Sequence, residues 1–552
     1  MQKRLIVYFI LLNILLSIFI PNISTAEEAP WWNENWSFRQ EITIPIDTSD
    51  EYTKFQPIDI PLSFNNTCWA KKEDEHSIRV IYQNEERLIE LESQIYDLKY
   101  ENNEYISSCN LVFLIPDQAN GNEKYFVYYD DEEKSAPDYQ KRIEIEESYY
   151  KYEPIQGIGF ESSYFKITEG EEIIYAVNKE GTVLGDKISQ QVTRLKKGAK
   201  DILPHNSDQI TEFAFRYWWK IDEEWCGISS KEKFISKQLF VDGNLMVKFG
   251  IVSESENGHL RSTVIYKYYH CPTEEKRLYT SVRHEVIDYP LTRGDEIDVA
   301  YITLTCGGIK SSVIEELNFG EIPPYLHFYS DEDRVKSYNF DQYPDYSNWQ
   351  PIIHKNDDFD LGSSAWLSVD NGETGKAHGI IFNSTNILKS GTDERDGISL
   401  QLYEAKGFQY PGLEALSAEL YIMRNAFEPG EPNDEILPEN YVIEFEAEYF
   451  TTENGGYPTV EKEASVYQKL IRNQPEIDDV VDDEEDVEKY NLTVIPHLPR
   501  SILFKLRLST LLLRGAQITA GLFDSEELIG YGTPHRIPIT EEVKIDFKNI
   551  SF

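Results

Sequence analysis

A chain of 552 residues exceeds the roughly 250–300 that one core supports, so several domains are expected. With 40% hydrophobic and 13% aromatic residues it can bury sizeable cores, which excludes a disordered chain. A formal net charge of -44 repels polyanions and excludes nucleic acid and anionic lipid as partners.

Residues 1–26 read as a leader. Lys3 and Arg4 precede the apolar run Leu5–Ile20, Pro21 ends it, and Ser24-Thr25-Ala26 supplies a small-residue cleavage site. The alternative is an uncleaved anchor, although the run is short for a span of about 20 residues. Elsewhere the sequence predicts no membrane insertion, so the product is expected to be secreted or at the extracellular surface. Export makes Asn35, Asn65, Asn383, Asn491 and Asn549, each followed by x-Ser/Thr, candidate glycosylation sites. It also makes disulfides the expected use of the five cysteines, with Cys68 bonded to Cys109, Cys226 to Cys271, and Cys306 left over.

Residues 27–138 form the first expected domain, with short strands at Arg39–Ile46, Ser77–Tyr82, Leu111–Ile115 and Tyr125–Tyr129. The opening Trp31, Trp32, Trp36, Phe38 and Arg39, the Ser77–Val80 strand and the aromatic close Tyr125–Tyr129 resemble a concanavalin-like β-sandwich domain of secreted prokaryotic proteins. The resemblance implies surface binding and no reaction. Trp31, Trp32 and Trp36 would stack on sugar rings or else pack the sandwich edge.

A charged linker is expected over 139–152. Residues 153–475 then read as one large antiparallel domain. Asp242-Gly243 and Asn257-Gly258 are hairpin signals, because both turn residues tolerate positive φ. They predict four neighbouring strands at Lys233–Val241, Asn244–Val252, His259–Tyr269 and Leu278–Val286. Further strands are expected at Phe213–Trp219, Ala365–Val369, Gly379–Phe382, Leu416–Ile422 and Tyr441–Thr451. Glu461–Arg472 is a predicted helix, with Ala464, Tyr467, Leu470 and Ile471 on one face and Pro475 beyond its end. The tryptophan-rich strand, the Asn257–Arg261 turn and Trp366 ahead of Gly379 resemble the galactose-mutarotase-like super-sandwich of sugar hydrolases and lyases. No catalytic motif of that family carries over position by position. An acidic linker is expected over 476–490, and 491–552 reads as a small immunoglobulin-like module, short of a final hairpin. The expected fold class is all-β, with tandem antiparallel sandwiches around a large central super-sandwich-like domain.

There is no Walker loop, zinc-protease motif, nucleophile elbow or dinucleotide fingerprint. What remains is a constellation on the meander. His259 and Glu285 are the candidate acid and base. Arg261 and Arg283 would recognise a uronate carboxylate, and Trp218, Trp225, Tyr266 and Tyr269 would form a stacking wall. The alternative is the solvated face of a one-sided sheet. Asp222, Glu223 and Glu224 read as a charged turn. No cofactor is expected. Asn356, Asp358 and Asp360 before Gly362 offer either a shallow Ca²⁺ site or a solvated loop, and an EF-hand is excluded because Leu367 stands at position twelve. His327, His354 and His378 show no ligand spacing. Two functions fit: binding of an extracellular glycan, with or without its processing as a polysaccharide hydrolase or lyase, or a non-enzymatic structural or adhesive role at the cell surface.

Overall fold

The computed structural model describes residues 31–480 and 501–548, less gaps of which the longest are 288–299, 304–310, 315–322, 340–349, 352–360, 390–398, 424–441 and 506–516. Over 216–227, 300–314, 399–423 and 501–548 the backbone alone is described. The chain divides into two units, Met1–Ser37 and Phe38–Phe552. In the first, the Trp36 amide donates to Asn33 O at 3.1 Å, and the Trp32 and Trp36 rings lie 5.9 Å apart.

The second unit is all-β and antiparallel, with one α-helix among the described residues. It begins with a two-sheet sandwich. One sheet runs Glu476–Val480, Phe38–Thr43, Lys124–Tyr129, Ile78–Asn84, Arg87–Leu91, and the other Glu75–His76, Pro57–Lys72, Tyr105–Leu114, Ser93–Tyr100. Ile58, Ile60 and Leu62 point inward, and Asp59 and Pro61 outward, as a period of two requires. The outermost strand corrects the expected acidic linker. Glu476–Val480 pairs along Phe38–Thr43, with Ile477 opposite Ile42 and packed on the core. One apolar residue inside the acidic run suffices to seat it.

The first sandwich holds no disulfide, contrary to expectation. Cys68 and Cys109 are free and buried. A bulge between Ser63 and Cys68 sets Cys68 opposite Ile106 while Cys109 faces Leu62, so the two thiols are out of register. Both stay protonated, because burial pushes their pKa values up.

The central domain sets a large sheet against a smaller one. The large sheet runs Glu232–Asp242, Met246–Ser255, Leu260–Tyr269, Lys276–Val286, Val442–Thr452, Ala377–Phe382, Trp366–Asp370, Tyr325–Tyr329, Val335–Asn339. The smaller runs Ser207–Glu212, Gln191–Leu195, Glu172–Val183, Ile158–Glu169, Ile143–Ile155. The last of these replaces most of the linker expected at 139–152. Phe165, Ile167 and Val177 meet Phe249, Ile251, Val264 and Phe445 in one core. The four meander strands are neighbours in the predicted order. Gly258 has φ +78, as a turn glycine should. Gly243 is needed for a different reason: a Cβ there would lie 2.1 Å from the side-chain amide of Gln94 in the first sandwich.

The helix Gly456–Arg472 starts five residues before the predicted Glu461. It lies on the outer face of the large sheet, where Val460, Ala464 and Tyr467 cover Trp366, Ile381 and Phe450. Leu470 reaches the core of the first sandwich, so the helix ties the two domains together. Strands at Ser501–Lys505, Glu542–Lys548, Glu527–Gly532 and Gly521–Asp524 form a further small sheet.

Candidate functional site

Alternation gives the meander two faces. Tyr266, Tyr268 and Val264 point into the core, and Arg261, Thr263 and Ile265 point out. On the outer face Arg261 stands opposite Glu254 on one side and Glu285 on the other. Its Nε and Nη2 donate to Glu254 Oε1 at 3.0 and 2.7 Å. Arg283 stands opposite Glu444, donates to it through Nη1, and places Nη2 3.6 Å from Glu285 Oε1. Three carboxylates and two guanidiniums thus alternate across four strands. Both arginine side chains remain 42% exposed.

The same face carries an aromatic that the sequence did not flag. Phe240 sits in a bulge of the edge strand and is 42% exposed. It packs across Gly250, where any Cβ would come within 3.1 Å of the ring. Lys248 Nζ lies 5.6 Å from its centroid. Gly250 and Glu254 are four residues apart on one strand, so the ring and the charged row are about 13 Å apart at 3.3 Å per residue. A bulged residue breaks the alternation that assigns faces, so the sequence pattern does not place Phe240 on this one.

The other predicted residues scatter. Tyr269 is no stacking wall: it is buried, edge-on to Tyr279, with its hydroxyl on Asp59 of the first sandwich. Trp218 and Trp225 lie on paired strands of a separate sheet, and only their backbone is described. His259 and the loop holding Asn356, Asp358 and Asp360 lie outside the described residues, as do Asn491, Asn549 and Cys306. The expected Cys226–Cys271 bridge is also corrected. Cys271 is a free thiol, accepting from Arg277 Nη1 at 3.2 Å. Asn35 and Asn65 are exposed, and Asn383 donates its side-chain amide to Glu446 at 3.2 Å.

Two histidines without sequence spacing do find partners. His327 Nδ1 lies 3.0 Å from both oxygens of buried Asp370, and its ring stacks on Tyr457 at 3.9 Å. His378 contacts the Tyr449 hydroxyl at 3.2 Å and Asp208 at 3.5 Å. Burial holds His378 down to about 4, so its imidazole is neutral at pH 7. Among the described residues no group of three or more His, Cys, Asp or Glu is placed to hold a metal. No helix among them is long and apolar enough to cross a membrane.

The described residues define an all-β protein of packed antiparallel sandwiches whose outer face carries an alternating charged row. No family model matches the sequence, and no curated protein matches it. Among solved structures it is similar to a protein in glycosyl hydrolase family 38 from Enterococcus faecalis, at 8% identity and TM-score 0.39, over 82% of this chain and 48% of that one. It is also similar to the galactosidase domain of an alpha-galactosidase-sucrose kinase, AgaSK, at 12% identity and TM-score 0.26, over 57% and 41%. The chain spans less than half the length of either. Both likenesses are distant, and neither assigns an activity to this chain.

Proposed function

We propose that this chain is an extracellular glycan-binding protein and that the outer face of the meander is its binding surface. One observation carries the reading: an exposed aromatic ring and a row of alternating guanidinium and carboxylate groups share that face. Sugar rings present a C–H face that packs on an aromatic, and hydroxyls that both donate and accept. Glu254, Glu285 and Glu444 outnumber Arg261 and Arg283, so the row suits neutral sugars better than uronates. Glu285, 3.6 Å from Arg283, would accept from a sugar hydroxyl, and no turnover is required of it.

A glycan array offering neutral and uronic-acid polysaccharides, with product analysis on every bound glycan, tests the reading. Binding of neutral glycans without cleavage supports it. Cleavage that Glu285→Gln abolishes would convert it to a hydrolase or lyase. The second reading, a structural or adhesive spacer, is favoured by the tight junction between the sandwiches. There Asp59 accepts from Tyr96, Tyr269 and Lys267, and Gln94 Oε1 accepts from the Leu245 and Met246 amides at 2.8 Å. A chain that binds no glycan but holds this junction rigid would fit that role.

A further inference from the structure

Where the first sandwich, the helix and the large sheet meet, a sealed cluster has more acceptors than donors. Arg277 donates Nε and Nη2 to the two oxygens of Glu463 at 2.8 and 2.9 Å. Gln56, from the first sandwich, donates Nε2 to the same two oxygens at 2.8 Å each. Glu448, on the sheet, lies 3.8 Å from Arg277 Nε and is completely buried. Both Glu448 oxygens and Gln56 Oε1 are buried and receive no hydrogen bond from the described residues.

The groups that act on Glu448 come from every side. Tyr279 and Ile381 flank it in the sheet. Arg277 and Cys271 approach from the neighbouring strand and its turn, and Glu463 and Tyr467 from the helix. Glu446 stands two residues away on its own strand. Among the charged groups in this set Arg277 is the one cation. Two carboxylates against one guanidinium leave one uncompensated charge in a sealed site, which is costly. A single proton removes that charge, and also supplies an O–H for Glu463.

We infer that Glu448, packed beside the Arg277-bound Glu463, is a proton-binding site that couples docking of the first sandwich to pH, closed with the proton bound and loosened without it. Burial, then the neighbouring Glu463, push the Glu448 carboxyl well above the usual carboxylate range, and Arg277 offsets this only in part. A closed junction therefore holds one proton more than an open one in which Glu448 is hydrated. Docking is strongest below about pH 4.3 and weakens as pH rises through the raised value.

Hydrogen exchange of the full chain from about pH 5 to about pH 9 tests this. The Leu245 and Met246 amides donate across the junction to Gln94, so they report docking. After correction for intrinsic exchange, their protection should fall by up to about tenfold per pH unit. Amides of the Val247–Ile251 core should not follow. Glu448→Gln, permanently neutral, should keep the protection and lose the slope. A parent without the slope, or a variant that retains it, overturns the inference. Should Glu448→Gln fail to fold, infrared spectroscopy of the parent labelled with ¹³C-glutamate decides. A protonated-carboxyl C=O stretch at neutral pH is expected, and its absence overturns the inference.

Discussion

Gly243 sits where the Gln94 side chain crosses the Asp242–Gly243 turn, so its role is contact and not positive φ. Gly243→Ala should push Gln94 off its hydrogen bonds and cost about 1–3 kcal/mol, measured by urea unfolding. Adding Gln94→Ala should recover part of that loss; strict additivity would show that the two do not touch. Buried histidines set the acid limit. Desolvation lowers His76 and His284 to about 3 and His378 to about 4. Their folded values lie below the unfolded value of about 6.5, so unfolded chains bind more protons in between. The stability they contribute is present above about pH 6.5 and is lost as pH falls through 4 towards 3, at up to about 1.4 kcal/mol per pH unit for each histidine. Urea midpoints should therefore drop between about pH 6.5 and about pH 4, with one proton less of slope in His378→Gln; a flat profile would contradict the neutral assignment.

At the scale of elements, the meander was legible because two turn dipeptides and clean alternation agree. The helix was legible by its apolar face, but its start was not. It opens with glycines, Gly455 at φ +90 and Gly456 at φ +58, in place of a side-chain cap. Charged composition alone does not reveal the strands in the two stretches expected as linkers. Glu476–Val480 is acidic, yet Ile477 makes it a strand, and Ile143–Ile155 hides a two-residue period among its charges. Ile477→Asp should release the Glu476–Val480 strand and cost about 1–3 kcal/mol, read as lost amide protection along Phe38–Thr43. Unchanged protection there would mean the strand adds little. The candidate site was half legible. Arg261 and Glu285 are cross-strand neighbours as alternation implied, whereas burial of Tyr269 depends on a domain contact that no local pattern carries.

At the scale of the molecule, the first sandwich covers one end of the meander's outer face through Asp59 and Tyr96, which meet Tyr269, and leaves Phe240, Arg261 and Arg283 exposed. Phe240→Ala should weaken glycan binding by about 1–2 kcal/mol while leaving the urea midpoint unchanged, since the ring is exposed. The most direct test is affinity electrophoresis through gels containing dextran, galactomannan, xyloglucan or polygalacturonate. The chain should be retarded by at least one neutral polysaccharide and not by polygalacturonate, and Phe240→Ala and Arg261→Ala should each lose most of that retardation. Migration unaffected by all four polymers, or equal retardation of parent and both variants, would contradict glycan binding at this face.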